Sequence, residues 1–161
     1  MATKKRENYF SWDETFMHIC RIIAQRSKDP STQTGACLVD KKNIILSLGY
    51  NGFPRGCSDD LLPWDREGEF GETKYPFVVH AEENAVLNAN ASLDGAKLYC
   101  ILFPCNECAK VIIQKGIAEI IYEDDKYHDQ KEWQVSRRML DLAGVKYRKY
   151  ETVNKLKIEQ K

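Results

Sequence analysis

Apolar runs in this chain are only a few residues long, as in Ile44-Ile45-Leu46 and Val111-Ile112-Ile113. A bilayer crossing needs about 20 apolar residues, so a membrane-spanning helix is excluded. An excess of charge is also missing. Lys plus Arg and Asp plus Glu both number 24, the formal net charge is +0 and the pI is near 6.8. A chain-wide cationic field for nucleic acid is therefore not expected. The first thirty residues lack the apolar stretch of a secretory leader, which predicts a soluble, cytoplasmic protein. Internal repeats and low-complexity segments are absent too.

What is present suits one globular domain. The chain has 161 residues, 43% of them hydrophobic and 30% charged. A domain of this size buries enough surface to need no covalent staples. The six cysteines (Cys20, Cys37, Cys57, Cys100, Cys105, Cys108) therefore read as thiols or metal ligands rather than disulfides. Cys20, Cys37 and Cys100 have apolar neighbours and fit a core. Charge is unevenly placed. Residues 58–72 carry six acids and one base (Arg66), and residues 146–161 carry six bases and two acids. Such runs are solvated faces, or a basic tail that docks on the acidic loop of a neighbouring subunit.

Ser11-Trp12-Asp13-Glu14 is a capping-box pattern, and Trp12, Phe16, Ile19, Cys20 and Ile23 follow at helical spacing. A helix over 11–26 is predicted. Segments 34–40 and 43–49 read as a β-hairpin whose turn lacks a glycine signal. Residues 51–76, with four glycines and three prolines, form a long connection. Its aromatic content predicts an ordered lid or binding loop. Helix 80–90, strand 97–102, helix 105–115, strand 118–122, helix 130–143 and strand 145–149 then alternate. This is an α/β pattern with the later strands parallel. Gly95, Gly116 and Gly144 are expected at helix C-terminal caps, and Asp129 with Glu132 at a helix start.

Two short stretches carry chemistry: His80-Ala81-Glu82 and Pro104-Cys105-Asn106-Glu107-Cys108. Cysteines three apart at a helix start share a face and favour the thiolate form that zinc binds. His80, at the start of another helix, can supply a third ligand. Three protein ligands leave a fourth tetrahedral position, the mark of a catalytic rather than a structural zinc site. A lone C-x-x-C also fits a redox or structural site, but no second C-x-x-C is present to complete one. Glu82, two residues beyond His80, is placed to act as the proton-transferring acid and base.

H-x-E followed by P-C-x-x-C is the signature of zinc nucleobase deaminases. Further stretches extend the likeness: Ala24-Gln25-Arg26-Ser27-Lys28-Asp29-Pro30, the run from Gly49 to Asp60, and Asp125-Lys126-Tyr127-His128-Asp129. Over about residues 9–150 the chain resembles the deoxycytidylate branch of the zinc-dependent cytidine/deoxycytidylate deaminase family, closest to the eukaryotic and large-DNA-virus type. Residues 1–8 would be an N-terminal arm and 151–161 a basic tail. The resemblance implies a three-layer α/β/α fold with a mixed five-stranded sheet. It implies a hydrolase that converts dCMP to dUMP and ammonia, supplying dUMP for dTMP synthesis. His80, Cys105 and Cys108 would hold Zn2+ and Glu82 would shuttle protons. The Ala81 N–H would meet the pyrimidine O2, the Pro104 carbonyl the departing amine, and Asn51 the sugar. The family is often a homohexamer, an allosteric enzyme activated by dCTP and inhibited by dTTP. Gly52, Phe53, Pro54, Arg55 and Gly56 would form the effector loop, with Mg2+ a further candidate beside the triphosphate.

Some positions keep two readings. Arg26, Ser27 and Lys28 offer cations and a hydroxyl to a 5′-phosphate, or are ordinary cations at a helix C-terminus. Tyr127 meets the base or is a partly buried core tyrosine. Asn84 and Asn88, one helical turn apart, join an effector site or interface, or form a solvated face. Deamination of dCTP is an alternative activity, and deamination of a base in nucleic acid a less favoured one. An inactive zinc-stabilised scaffold is disfavoured because it has no use for Glu82.

Overall fold

A computed structural model describes residues 3–153. The chain enters its first helix, α1 (Trp12–Ala24), through the capping box expected there. Glu14 N–H donates to Ser11 Oγ at 3.2 Å, and Ser11 N–H donates back to the Glu14 carboxylate at 3.3 Å. Two orphan donors at the helix start are thereby satisfied. Phe16, Met17, Cys20 and Ala24 form the buried stripe, whereas Trp12 is 59% exposed and stacks on Phe16.

Strands β1 (Gly35–Val39) and β2 (Ile45–Tyr50) form the expected antiparallel hairpin. Its turn works without glycine. Asn43 takes the left-handed conformation (φ 64°), and Asp40 Oδ1 accepts from the N–H groups of Lys42 and Ile44, both at 2.8 Å. Helix α2 (Ala81–Asn88) and strand β3 (Lys97–Leu102) come next. They are followed by α3 (Asn106–Gln114), β4 (Glu119–Asp124), α4 (Lys131–Leu142) and β5 (Lys146–Lys149). The sheet order is β2-β1-β3-β4-β5; β3, β4 and β5 run parallel and β1 is antiparallel to both its neighbours. This is the mixed five-stranded sheet that the element order implies.

Side-chain alternation along the strands divides the core in two. Ala36, Leu38, Leu98, Cys100 and Ile120 pack against α2, α3 and α4. Cys37, Val39, Tyr99 and Ile121 face α1 on the other side. Helix α2 lies so close to the hairpin that a Cβ on Gly49 would sit 2.2 Å from the Ala81 carbonyl oxygen and 2.3 Å from the Ala85 nitrogen. Only glycine admits this contact, which sets the depth of α2 over β2.

Two of the three expected cap glycines terminate helices. After α3, Gly116 N–H donates to Ile113 O at 3.0 Å and Ile117 N–H to Ile112 O at 3.2 Å. Gly144 and Val145 repeat the pattern after α4, and both glycines have φ near +70°. Gly95 differs. Helix α2 already ends at Asn88, and Gly95 instead donates to the Gly116 carbonyl at 2.7 Å, joining the loops below β3 and β4. Asp129 is not the cap of α4. Gln130 holds that position with no side-chain bond, and the Asp129 carboxylate lies 3.1 Å from the His128 imidazole. The basic run is only partly solvated, because Arg148 pairs with Asp13 and Glu119 at 2.7 and 2.9 Å. Lys155, Lys157 and Lys161 lie outside the described residues.

Candidate active site

The two chemistry-bearing stretches meet where α2 and α3 begin. His80 is the N-cap of α2 and Cys105 the N-cap of α3, and neither makes a side-chain capping bond. Positions that elsewhere favour Ser, Thr, Asp or Asn are here given to an imidazole and a thiol. Cys108 follows in the first turn of α3, on the same face as Cys105. His80 Nδ1 lies 3.4 Å from Cys105 Sγ and 3.5 Å from Cys108 Sγ. Zinc–sulfur and zinc–nitrogen bonds of about 2.3 and 2.0–2.1 Å at a tetrahedral angle separate the two donors by about 3.6 Å. Both His80–cysteine separations therefore match those around a tetrahedral zinc ion, and all three donor atoms lie within 4.8 Å of one another. No other such cluster is found among the described residues.

Electrostatics in the trio follows from burial and contact. The Cys105 thiol is drawn down to about 4, foremost by its hydrogen bond with Cys108 and further by His80, against the opposing effect of burial. Cys108, whose proton that bond retains, shifts upward. Its hydrogen bond with Cys105 pushes His80 up to about 9. Three donors within 4.8 Å of one another thus compete for protons, an arrangement that a bound cation relieves. Glu82 is buried beside them, its Oε2 3.8 Å from Cys108 Sγ. Desolvation raises its carboxyl to about 6, with the His80 charge acting in the opposite direction.

A cleft of about 220 Å³ opens over this group, and His80, Glu82 and Cys105 line it. Asn51, Lys74, Arg66, Tyr127 and Trp133 contribute to its other walls. The family model for the cytidine and deoxycytidylate deaminase zinc-binding region matches residues 10–124, spanning both motifs. The chain belongs to this deaminase family. It is 55% identical to deoxycytidylate deaminase of Mus musculus over 152 residues, covering 93% of this chain and 85% of the relative. It is 52% identical to the Homo sapiens enzyme over the same coverage. Among solved structures it is similar to dCMP deaminase of cyanophage S-TIM5 in complex with dCMP and dUMP. That match has a TM-score of 0.68 and 30% identity, covering 85% of this chain and 95% of the other.

The other deaminase-site positions named by the sequence are distributed as follows. Ala81 is fully buried as the first residue of α2. The Pro104 carbonyl already accepts from Ser136 Oγ at 2.8 Å, while the preceding Phe103 carbonyl accepts from Trp133 Nε1 at 2.8 Å. Helix α4 thereby grips the segment that leads into Cys105. Tyr127 is half-buried, lines the cleft and packs against Trp133 with centroids 4.8 Å apart. Asn51 also lines the cleft, but its amide is engaged: Oδ1 accepts from Thr34 N–H at 2.8 Å and Nδ2 donates to Thr32 O at 2.9 Å.

Arg26, Ser27 and Lys28 are not among the cleft-lining residues; Lys28 is paired with Asp59, and Ser27 Oγ accepts from Asp29 N–H at 3.3 Å. Gly52 bridges Val79, Phe53 stacks on Trp64 at 4.0 Å, and Arg55 donates to Asn88 Oδ1 at 2.6 Å. Asn84 and Asn88 do not form a solvated face. Their amides donate to the Tyr50 and Leu48 carbonyls at 2.7 and 3.2 Å, satisfying acceptors on edge strand β2. Ser136, Asp29 and Lys74 escaped sequence reasoning. Their bonds join residues 32 and 45 positions apart, which leaves no local pattern to detect.

Proposed function

We propose that this deaminase hydrolyses dCMP to dUMP and ammonia. The observation that carries the reading is the His80, Cys105 and Cys108 trio with Glu82 buried against it in one cleft, in a chain 52–55% identical to deoxycytidylate deaminases. Zinc, when bound, lowers the pKa of a coordinated water from about 15.7 towards 7. Glu82 accepts the water's proton as the oxygen adds to C4 of the pyrimidine, and passes it to N3. The same carboxyl then carries a proton to the exocyclic nitrogen. The C4–N bond breaks, ammonia leaves, and a carbonyl remains. Each role requires an acid whose pKa lies near the working pH, and burial of Glu82 moves it that way. The Ala81 N–H and Pro104 carbonyl flank the trio on the chain and would orient the base. Asn51 would order the sugar side of the cleft, and Tyr127 would face the base.

Arg26, Ser27 and Lys28, beyond the end of α1, would add a secondary contact on the phosphate side. dUMP formed in this way would feed dTMP synthesis in the cytoplasm. dCTP as activator and dTTP as inhibitor would act through the Gly52–Gly56 loop, in a homohexamer, with Mg2+ accompanying the triphosphate. Support for that loop is its direct tie to α2 through Arg55 and Asn88. Ammonia release from dCMP, dCTP, deoxycytidine and CMP, each with and without dCTP or dTTP, tests the whole reading. Turnover of dCMP above the others, raised by dCTP and lowered by dTTP, is expected. Preference for dCTP or deoxycytidine would overturn it.

A further inference from the structure

The wall of the same cleft contains a buried ion pair, Asp29 with Lys74. Lys74 Nζ lies 2.5 Å from Asp29 Oδ2, with the two side chains only 8% and 2% exposed. Buried pairs stabilise a fold little more than apolar residues of the same volume, so stability alone does not account for this one. The two partners are also unequally satisfied. Asp29 Oδ1 accepts from the N–H groups of Ser31 and Thr32 at 2.8 and 3.1 Å, and Oδ2 receives Asn51 Nδ2 at 3.4 Å besides Lys74. Its acceptor capacity is taken up. Lys74 has three N–H donors but only this one hydrogen-bond acceptor among the described residues. Its backbone is pinned as well. The Lys74 N–H donates to Asp65 O at 2.9 Å, and its carbonyl accepts from Phe77 and Val78, both at 3.0 Å. Arg66, which also lines the cleft, uses Nε on Tyr75 Oη at 3.2 Å and has no acceptor for its remaining donors among the described residues.

The result is a pre-positioned ammonium with spare donors, set in a low-dielectric wall, whose other neighbour is the face of the Tyr75 ring, 5.9 Å to its centroid, which accepts no conventional hydrogen bond from it. A charge held this way attracts an anion more strongly than the solvated Lys28 can. We propose that Lys74, oriented by Asp29, is the residue that grips the 5′-phosphate of the substrate and so separates nucleotide from nucleoside, with Arg66 as the outer cation. This rests on the nucleotide reading given above.

The test uses zinc-loaded enzyme and the double substitution Asp29→Asn with Lys74→Met, which neutralises both partners together, beside Lys74→Arg. Calorimetric titration with dUMP and with deoxyuridine reads the phosphate contribution. Loss of a charge-assisted contact predicts dUMP affinity lower by about 10- to 100-fold in the double variant, a far larger loss than deoxyuridine suffers. Lys74→Arg should keep most of the preference. In the unaltered protein, the Lys74 ammonium resonance, assigned by its loss in Lys74→Arg, should shift with dUMP and not with deoxyuridine; this readout stands even if the double variant does not fold. Equal weakening of both ligands, or an unchanged dUMP preference, would overturn the assignment to Lys74 alone. An unaltered enzyme that binds dUMP no more tightly than deoxyuridine would remove the nucleotide reading and this assignment with it.

Discussion

Carboxyl groups kept from water hold their protons to higher pH, and Glu82 is the buried carboxyl nearest the ligand trio. Its neighbours were legible because each pair lies within three residues along the chain: His80 with Glu82, Cys105 with Cys108. The supporting residues were not, since Ser136 reaches Pro104 from another helix. Substituting Ser136→Ala removes a buried hydroxyl that fixes the carbonyl before Cys105. Stability should fall by about 1 kcal/mol in denaturant titration. The value of kcat should fall more than KM changes, because the loop loses position rather than substrate contacts. Lys28→Ala gives a contrasting case. An exposed cation already paired with Asp59 is screened by solvent and adds little, so KM for dCMP should rise by only a small factor. A larger rise, measured by initial rates, would return the main phosphate role to the end of α1.

Helix starts and stops decide where the functional side chains stand. The capping box of α1 and the glycines after α3 and α4 were readable because each end signal is local. Gly95 and Asp129 misled for a related reason. Both residue types serve turns and ion pairs as readily as helix ends, and only the tertiary partner decides. Likewise, Asn84 and Asn88 look like an exposed polar face until β2 lies beside them. Gly49 offers the sharpest test of an element's placement. A methyl group there would meet the Ala81 and Ala85 backbone at 2.2 and 2.3 Å, so α2 must move outward with His80 and Glu82. Gly49→Ala should lower zinc affinity, measured by competition with a chromophoric chelator, and activity should drop in parallel. Full zinc affinity and normal turnover would show that α2 tolerates the displacement.

Across the whole molecule, α1 is fastened to the far side of the sheet by charge. Asp13 receives hydrogen bonds from Arg148 and Tyr99, and Arg21 pairs with Glu123. Burial pushes the Asp13 carboxyl upward, but the bonds from Arg148 and Tyr99 outweigh it and the net shift is downward. A carboxyl depressed in the folded state stabilises above its unfolded pKa of about 4 and loses that contribution as pH falls through the folded value. Thermal melting should therefore show Tm decreasing below about pH 4, and Arg148→Met should flatten that decrease. Metal removal acts on the other face, where the trio joins the starts of α2 and α3. A chelator should lower Tm, and stoichiometric Zn2+ should restore it.

The central claim, that Glu82 carries the protons of a zinc-assisted deamination of dCMP, has one direct measurement. Zinc content and ammonia release from dCMP are determined together for the unaltered chain and for Glu82→Gln. The account predicts one zinc per chain in both, with turnover reduced by about 10²- to 10⁴-fold in the variant. Equal ammonia release from a fully zinc-loaded Glu82→Gln protein would contradict it.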